Sequence, residues 1–126
     1  MAISIPCTDG CACGAVRYES SAEPMFMFRC RCRDCQPATG GPFAAYVWFP
    51  AVAFTFTKGE PKYHVVESEM GSTVSHGFCS ACGSPIGMKT DAIPENMGVR
   101  AASLDDASGL EPKAEVWASR AYPWDA

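Results

Sequence analysis

The sequence predicts a mainly β protein, and two observations indicate this fold class. Short segments with alternating or β-rich character recur between glycine and proline residues, a pattern typical of strands. In addition, ten prolines and eleven glycines in 126 residues leave little room for long helices. The length is near the commonest domain size, so we expect a single domain over residues 1–126.

Eight strands and one short helix are predicted along the chain. Segments 15–20, 52–57 and 73–78 alternate apolar with polar or small residues, as a strand with one buried face does, whereas 25–30 and 43–49 are rich in aromatic residues. A short turn of helix is expected over 34–39. In chain order the predicted strands are AVRYES (15–20), MFMFRC (25–30), FAAYVWF (43–49), VAFTFT (52–57), KYHVV (62–66), TVSHGF (73–78), MGVRAAS (97–103) and AEVWAS (114–119).

Composition and charge exclude several classes of protein. Hydrophobic residues make up 48% of the chain and charged residues 19%, which favours a globular domain over disorder. No apolar run approaches the roughly 20 residues of a membrane span, and MAISIPCTDG lacks the basic start and apolar stretch of a secretory signal. We therefore expect a cytoplasmic protein. The net charge is −4 and no block of basic residues stands out, so neither nucleic acid nor a membrane is an expected partner.

The eight cysteines are the strongest functional signal, and four of them form two similar pairs. The pairs are Cys11 and Cys13 in CACG, and Cys79 and Cys82 in CSACG, each followed directly by glycine. Glycine permits the positive φ of a tight turn that directs amide groups at sulfur, and four thiolates complete the tetrahedral shell of a structural Zn²⁺. The alternative is two disulfides or two free pairs, although a Cys-x-Cys bridge has poor geometry.

A third group, Cys30, Cys32 and Cys35, differs because it has three cysteines and no following glycine. Three protein ligands and one exchangeable position are the usual arrangement of a catalytic zinc. If Cys30 and Cys32 end a strand they share one face, and the following turn returns Cys35 toward them. Alternatively, Cys7 or a histidine completes a second structural zinc site.

Five basic or titratable side chains near the cysteines have open roles. Arg29, Arg31 and Arg33 alternate, so on a strand they point away from the thiols. They either lower thiol pKa values and attract an anionic substrate, or they form a solvated basic face. His64 and His76 lie within strand patterns, and neither is assigned as a general base.

These motifs together resemble the glutathione-dependent formaldehyde-activating enzyme family, also called the CENP-V/GFA domain family. The resemblance covers residues 11–124, the core of the predicted domain. Its landmarks are CACGAVRY (11–18), CRCRDCQPATG (30–40), FCSACGSPI (78–86), ASLDD (102–106) and EVWASRAYPW (115–124).

The resemblance implies an Mss4-like fold of several coiled antiparallel β-sheets stapled by zinc, with one structural and one catalytic zinc. It implies carbon–sulfur lyase activity on thiol–aldehyde adducts such as S-(hydroxymethyl)glutathione, and therefore glutathione and a small aldehyde as partners. The structural ligands would be Cys11, Cys13, Cys79 and Cys82, and the catalytic ligands Cys30, Cys32 and Cys35. Arg31 and Gln36 depart from the family pattern, which often has histidine and a basic residue there.

Two other functions compete with the enzyme. The Mss4-like fold and the lack of an evident acid–base residue also suit a non-enzymatic zinc-binding interaction module. Exposed thiolates in the group of three would also suit zinc storage or redox sensing. We favour the enzyme, because zinc held by three thiolates is a soft Lewis acid that suits the binding or exchange of sulfur.

Overall fold

A computed structural model describes residue 3 and residues 5–125. The mainly β prediction is confirmed. The strands are β1 (Cys7–Gly10), β2 (Arg17–Ser20), β3 (Phe26–Cys30), β4 (Ala44–Pro50), β5 (Phe54–Lys58), β6 (Lys62–Glu67), β7 (Thr73–Phe78), β8 (Pro85–Thr90), β9 (Asn96–Arg100) and β10 (Ala114–Val116), with one helix, α1 (Cys35–Thr39). Single 3-10 turns cover Ala51–Ala53, Ala101–Ser103 and Ala118–Arg120. Within the described ranges no helix has the length and apolar character needed to cross a membrane.

All eight predicted strands are present, although the predicted ends at 101–103 and 118–119 form 3-10 turns instead, and two further strands, β1 and β8, were not predicted. β1 has only four residues and two of them are polar. β8 begins with Pro85 and contains Gly87, and both residue types are depleted in strands. At Gly87 an added Cβ would lie 2.8 Å from the terminal methyl group of Met97 on the neighbouring strand, so a larger residue would require that flexible side chain to move.

The strands form two sheets. The smaller has the order β1-β2-β5, and the larger has the order β10-β3-β4-β9-β8-β7-β6. Neighbouring strands are antiparallel except for β10, which pairs with β3 in parallel and places Val116 opposite Cys30. The family resemblance implied antiparallel sheets alone. The parallel pair arises because the chain crosses back from β9 through residues 101–113, a connection long enough for parallel pairing.

Two hydrophobic clusters lie on opposite faces of the larger sheet, and β4 contributes to both. Val47 and Phe49 belong to the first cluster, whereas Tyr46 and Trp48 belong to the second, as the alternation of a strand requires. The first cluster joins the two sheets. Its buried members are Cys7, Cys11, Val16, Tyr18, Met27, Val47, Phe49, Cys79, Ile86, Val99 and Leu104. The second cluster supports α1 and the end of β3.

Candidate metal centres and the adjoining cavity

The four-sulfur cluster lies where the two sheets meet. Cys11 and Cys13 lie in the turn from β1 to β2, and Cys79 and Cys82 lie in the turn from β7 to β8. All four Sγ atoms lie within 4.8 Å of one another, and Cys13 Sγ is 3.7 Å from Cys11 Sγ and 3.8 Å from Cys79 Sγ. Tetrahedral coordination with zinc–sulfur bonds near 2.3 Å separates ligands by about 3.8 Å. The cluster therefore fits a four-thiolate zinc ion.

The two turns that present these sulfurs differ by one residue in length but end in the same way. Gly14 and Gly83, the residues after the second cysteine of each pair, both have φ of 78°, a region that favours glycine. The Gly14 amide donates to the Cys11 carbonyl and the Gly83 amide to the Cys79 carbonyl, at 3.3 and 2.8 Å. The Val16 amide also donates to Cys11 Sγ at 3.3 Å, which stabilises a thiolate there.

The three-sulfur cluster lies at the far end of β3. Cys30 is the last residue of β3, Cys32 lies in the following loop rather than on the strand, and Cys35 begins α1. Their Sγ atoms lie within 4.8 Å of one another, and no fourth cysteine, histidine or acid of the described chain joins them. The Cys35 amide donates to Cys32 Sγ at 3.2 Å, and the Tyr46 hydroxyl lies 3.6 Å from Cys35 Sγ. Three soft donors with a remaining position fit a zinc ion open to a further ligand.

Within this cluster the negative charge is favoured at Cys32. Hydrogen bonds from the Cys30 thiol and then from the Cys35 thiol lower the pKa of Cys32. The same interaction with Cys32 is the main cause that raises the pKa of Cys30 to about 11, and the pKa of Cys35 is raised as well. The half-buried Cys32 is thus the sulfur that most readily offers a thiolate to a metal.

Cys7 and the two histidines lie outside both clusters. Cys7 is on β1 in the first hydrophobic cluster, and burial, followed by the nearby Asp9 carboxylate, raises its pKa to about 12. His64 and His76 are cross-strand partners on β6 and β7. The alternative in which Cys7 or a histidine completes a second structural zinc site is therefore not supported.

The alternating arginines do not form a free basic face, because they are paired with the end of the chain. Arg29 donates to Glu115 at 2.7 Å, and Arg31 donates to Glu115 at 2.6 Å and to Asp125 at 2.5 Å. The side chains of Arg31 and Asp125 are only 11% and 12% exposed. The sequence offered two roles for these arginines, activation of the thiols or a solvated basic face, and the structure shows neither. The guanidinium groups of Arg29 and Arg31 instead bind the C-terminal part of the chain beside the three-sulfur cluster.

Arg33 completes this attachment on the other side of the loop. Its guanidinium donates to Gln36 Oε1 at 2.7 Å and to the carbonyl of Arg120 at 2.9 Å, and it lies 4.3 Å from the centroid of the Tyr122 ring. Gln36 in turn donates to the carbonyl of Arg31 at 3.0 Å. The two positions that depart from the family pattern, Arg31 and Gln36, are thus both engaged in packing this loop.

A cavity of about 420 Å³ adjoins α1, and none of its lining residues was predicted as a site residue. Arg100 and His76 line it and are buried, and Asp34 and Pro37 lie on the side nearest the three-sulfur cluster. Arg100 is the last residue of β9, and all five residues of this strand are buried. A charged residue in such a position is rarely buried without a partner.

Comparison with known proteins identifies the family. Residues 6–120 match the family described as the glutathione-dependent formaldehyde-activating enzyme. The chain belongs to this family. It is also similar to a Rhodobacter sphaeroides protein of known crystal structure, with 26% identity and a TM-score of 0.62 over 83% of this chain and 91% of that one. Family membership agrees with the two cysteine clusters and with a lyase-type role related to glutathione and formaldehyde.

Proposed function

We propose that this family member is a zinc-dependent carbon–sulfur lyase that acts on thiol–aldehyde adducts of the S-(hydroxymethyl)glutathione type. The observation that carries the proposal is the contrast between the two clusters. One has four sulfurs, which saturate a tetrahedral ion, and the other has three sulfurs, one of them on the helix whose Pro37 and Ala38 line a cavity. The family match over most of the chain supports the same class of reaction.

Each cluster has a separate role in this proposal. Cys11, Cys13, Cys79 and Cys82 hold a structural zinc that joins the β1–β2 turn to the β7–β8 turn. Cys30, Cys32 and Cys35 hold the catalytic zinc. When bound there, zinc supplies a soft Lewis-acidic position suited to sulfur or to the developing oxyanion of the aldehyde.

The reaction is a reversible cleavage. The bond between sulfur and the hydroxymethyl carbon breaks, the carbon–oxygen single bond becomes the carbonyl of formaldehyde, and the hydroxyl proton is transferred to the departing sulfur to give the free thiol. The protein must hold the adduct next to the three-sulfur cluster and limit its contact with water. Tyr46 fixes Cys35 through its hydroxyl group, and α1 forms a wall of the cavity in which the adduct would lie.

The test combines metal counting with an exchange assay. Wild type should hold two zinc ions per chain and accelerate the equilibration of formaldehyde with glutathione, measured by NMR exchange spectroscopy. The Cys32→Ser variant should hold one zinc ion, retain its fold and lose the acceleration. The Cys7→Ser variant is the matched control, because Cys7 lies outside both clusters, and it should keep two zinc ions and full activity.

Two results would contradict the proposal. A folded wild type that binds two zinc ions but accelerates no thiol–aldehyde exchange would favour the non-enzymatic interaction module. An unchanged exchange rate in a Cys32→Ser variant that has lost one zinc ion would show that the reaction does not require the three-sulfur cluster.

A further inference from the structure

The cavity beside α1 lies between the two cysteine clusters. One wall contains Pro37 and Ala38, from the helix that begins at Cys35, and another contains Gly83, which follows Cys82 directly. Its volume of about 420 Å³ is within the range of small-molecule binding sites, about 300 to 1,000 Å³. A substrate in this cavity would therefore lie next to the helix that carries one sulfur of the three-sulfur cluster.

Two buried polar side chains of this cavity have no partner within the described part of the chain. Arg100 is 5% exposed and His76 is 6% exposed. Nε and Nη1 of Arg100 and both ring nitrogens of His76 make no hydrogen bond there. A buried charge without a hydrogen-bonded partner is strongly unfavourable, so these groups indicate that a ligand supplies the missing acceptor.

The guanidinium group of Arg100 has a fixed position relative to the three-sulfur cluster. It lies 4.9 Å from the centroid of the Tyr46 ring, and the hydroxyl group of Tyr46 is 3.6 Å from Cys35 Sγ. A cation over an aromatic face is held there electrostatically. The Tyr46 side chain thus lies next to both the guanidinium group of Arg100 and the Sγ atom of Cys35.

Arg100 makes no ion pair with a carboxylate of the described residues. Burial, and then the charge of Arg100, lower the pKa of His76 by more than the negative charges of Cys32 and Asp34 raise it, so this imidazole is neutral near pH 7 and offers one donor and one acceptor. Asp34 is the single carboxylate among the lining residues, and it makes no ion pair with Arg100. The exposed His64 lies beside His76 on the neighbouring strand and adds no negative charge.

We propose that Arg100 and His76 bind a carboxylate group of the thiol substrate. This inference rests on the proposed function and names its substrate class, which is thiols that carry a carboxylate, with glutathione as an example. A planar guanidinium donates several N–H groups to a carboxylate, and the interaction is stronger when water is excluded. The site would select acidic thiols over neutral ones such as 2-mercaptoethanol.

The test uses the Arg100→Met variant and an Arg120→Met control, whose arginine is paired with Glu69 on the surface. Calorimetry would measure binding of S-methylglutathione, which keeps both carboxylates but has no free thiol. We expect binding to Arg100→Met to be about 10- to 100-fold weaker than to wild type, as for loss of a charge-assisted hydrogen bond. The kcat/KM for the glutathione adduct should fall similarly, while kcat/KM for the 2-mercaptoethanol adduct and all values of Arg120→Met remain unchanged.

Unchanged binding of S-methylglutathione to Arg100→Met, or an equal loss of activity toward both adducts, would overturn the inference. If the wild type turns over neither adduct, the proposed function fails, yet Arg100-dependent binding of S-methylglutathione would still support the carboxylate site. If Arg100→Met does not fold, Arg100→Lys and His76→Asn replace it. Each should weaken binding by about 5-fold or more, because each alters a donor to the carboxylate; wild-type affinity in both would overturn the inference.

Discussion

Removal of one sulfur from the four-sulfur cluster should destabilise the fold, and Cys82→Ala is the cleanest way to remove it. The Cys82 side chain is exposed, so its truncation leaves no cavity in the core. Its nearest side-chain partner is the Ser84 hydroxyl at 3.2 Å, also near the surface. Any large loss of stability must therefore come from weakened metal binding rather than from lost packing.

The magnitude follows from the chain that the metal would close. Cys13 and Cys79 are 66 residues apart in the sequence, and their Sγ atoms are 3.8 Å apart in the structure. A cross-link that closes a loop of this length reduces the entropy of the unfolded chain by an amount equivalent to about 4 kcal/mol. For a domain of this size, that loss corresponds to a fall of about 15 °C in Tm.

Differential scanning calorimetry with zinc analysis would measure this effect. Cys82→Ala should melt about 15 °C below wild type and carry one zinc ion fewer. The Ser80→Ala variant changes an exposed residue of the same turn without changing a sulfur, and it should match wild type in both measurements. A Cys82→Ala protein that loses a zinc ion but melts within about 2 °C of Ser80→Ala would refute the assignment of this cluster as a structural clamp.

Three further predictions concern the surroundings of the clusters. Arg31→Met should lower the free energy of unfolding by about 2 to 3 kcal/mol in urea denaturation, because it leaves Asp125 nearly buried without its partner, and Arg31→Lys should recover part of this loss. Gly83→Ala should cost about 1 kcal/mol in the same assay, since φ is 78° and no atom obstructs the added Cβ; a neutral result would contradict the turn geometry. Burial and Asp9 raise the pKa of Cys7 to about 12, so the unfolded chain releases this proton first as pH rises. The stability of wild type relative to Cys7→Ala should therefore fall between about pH 8.5 and 12, measured as the difference in Tm. A difference in Tm that stays constant over this range would show that folding does not raise the pKa of Cys7.

Most strands could be predicted because their patterns are local. The apolar and aromatic content of FAAYVWF and the alternation of VAFTFT indicate strands without knowledge of their neighbours. β8 escaped prediction because Pro85 and Gly87 are residue types depleted in strands, whereas the strand is formed by its pairing with β7 and β9 on either side. The parallel pairing of β10 with β3 also depends on residues more than 80 positions apart, and no local pattern encodes it.

The cysteine clusters were predictable for a different reason, since metal sites have characteristic spacings and ligand types. The structure brings together the same two sets of sulfurs that the sequence separated. The roles of the arginines were not predictable, because Glu115 and Asp125 lie more than 80 residues after Arg29 and Arg31. Arg100 was missed because its significance is the absence of a partner within the described chain, which only the folded arrangement reveals.

The two clusters differ in the protein contacts that hold their sulfurs in place. The turns that carry the four sulfurs leave Cys13 and Cys82 exposed; the protein contacts between the turns are the packing of Cys11 and Cys79 in the first hydrophobic cluster and a hydrogen bond of 3.2 Å from the Ala12 amide to Ser84 Oγ. The three-sulfur loop has a similar packing of Cys30 and Cys35 in the second hydrophobic cluster, and in addition the nearly buried ion pair of Arg31 with Asp125. A site that keeps its shape without metal can exchange ligands, or lose its ion, without unfolding. This ion pair supports the proposed assignment of the chemistry to the three-sulfur cluster and of a stabilising role to the four-sulfur cluster.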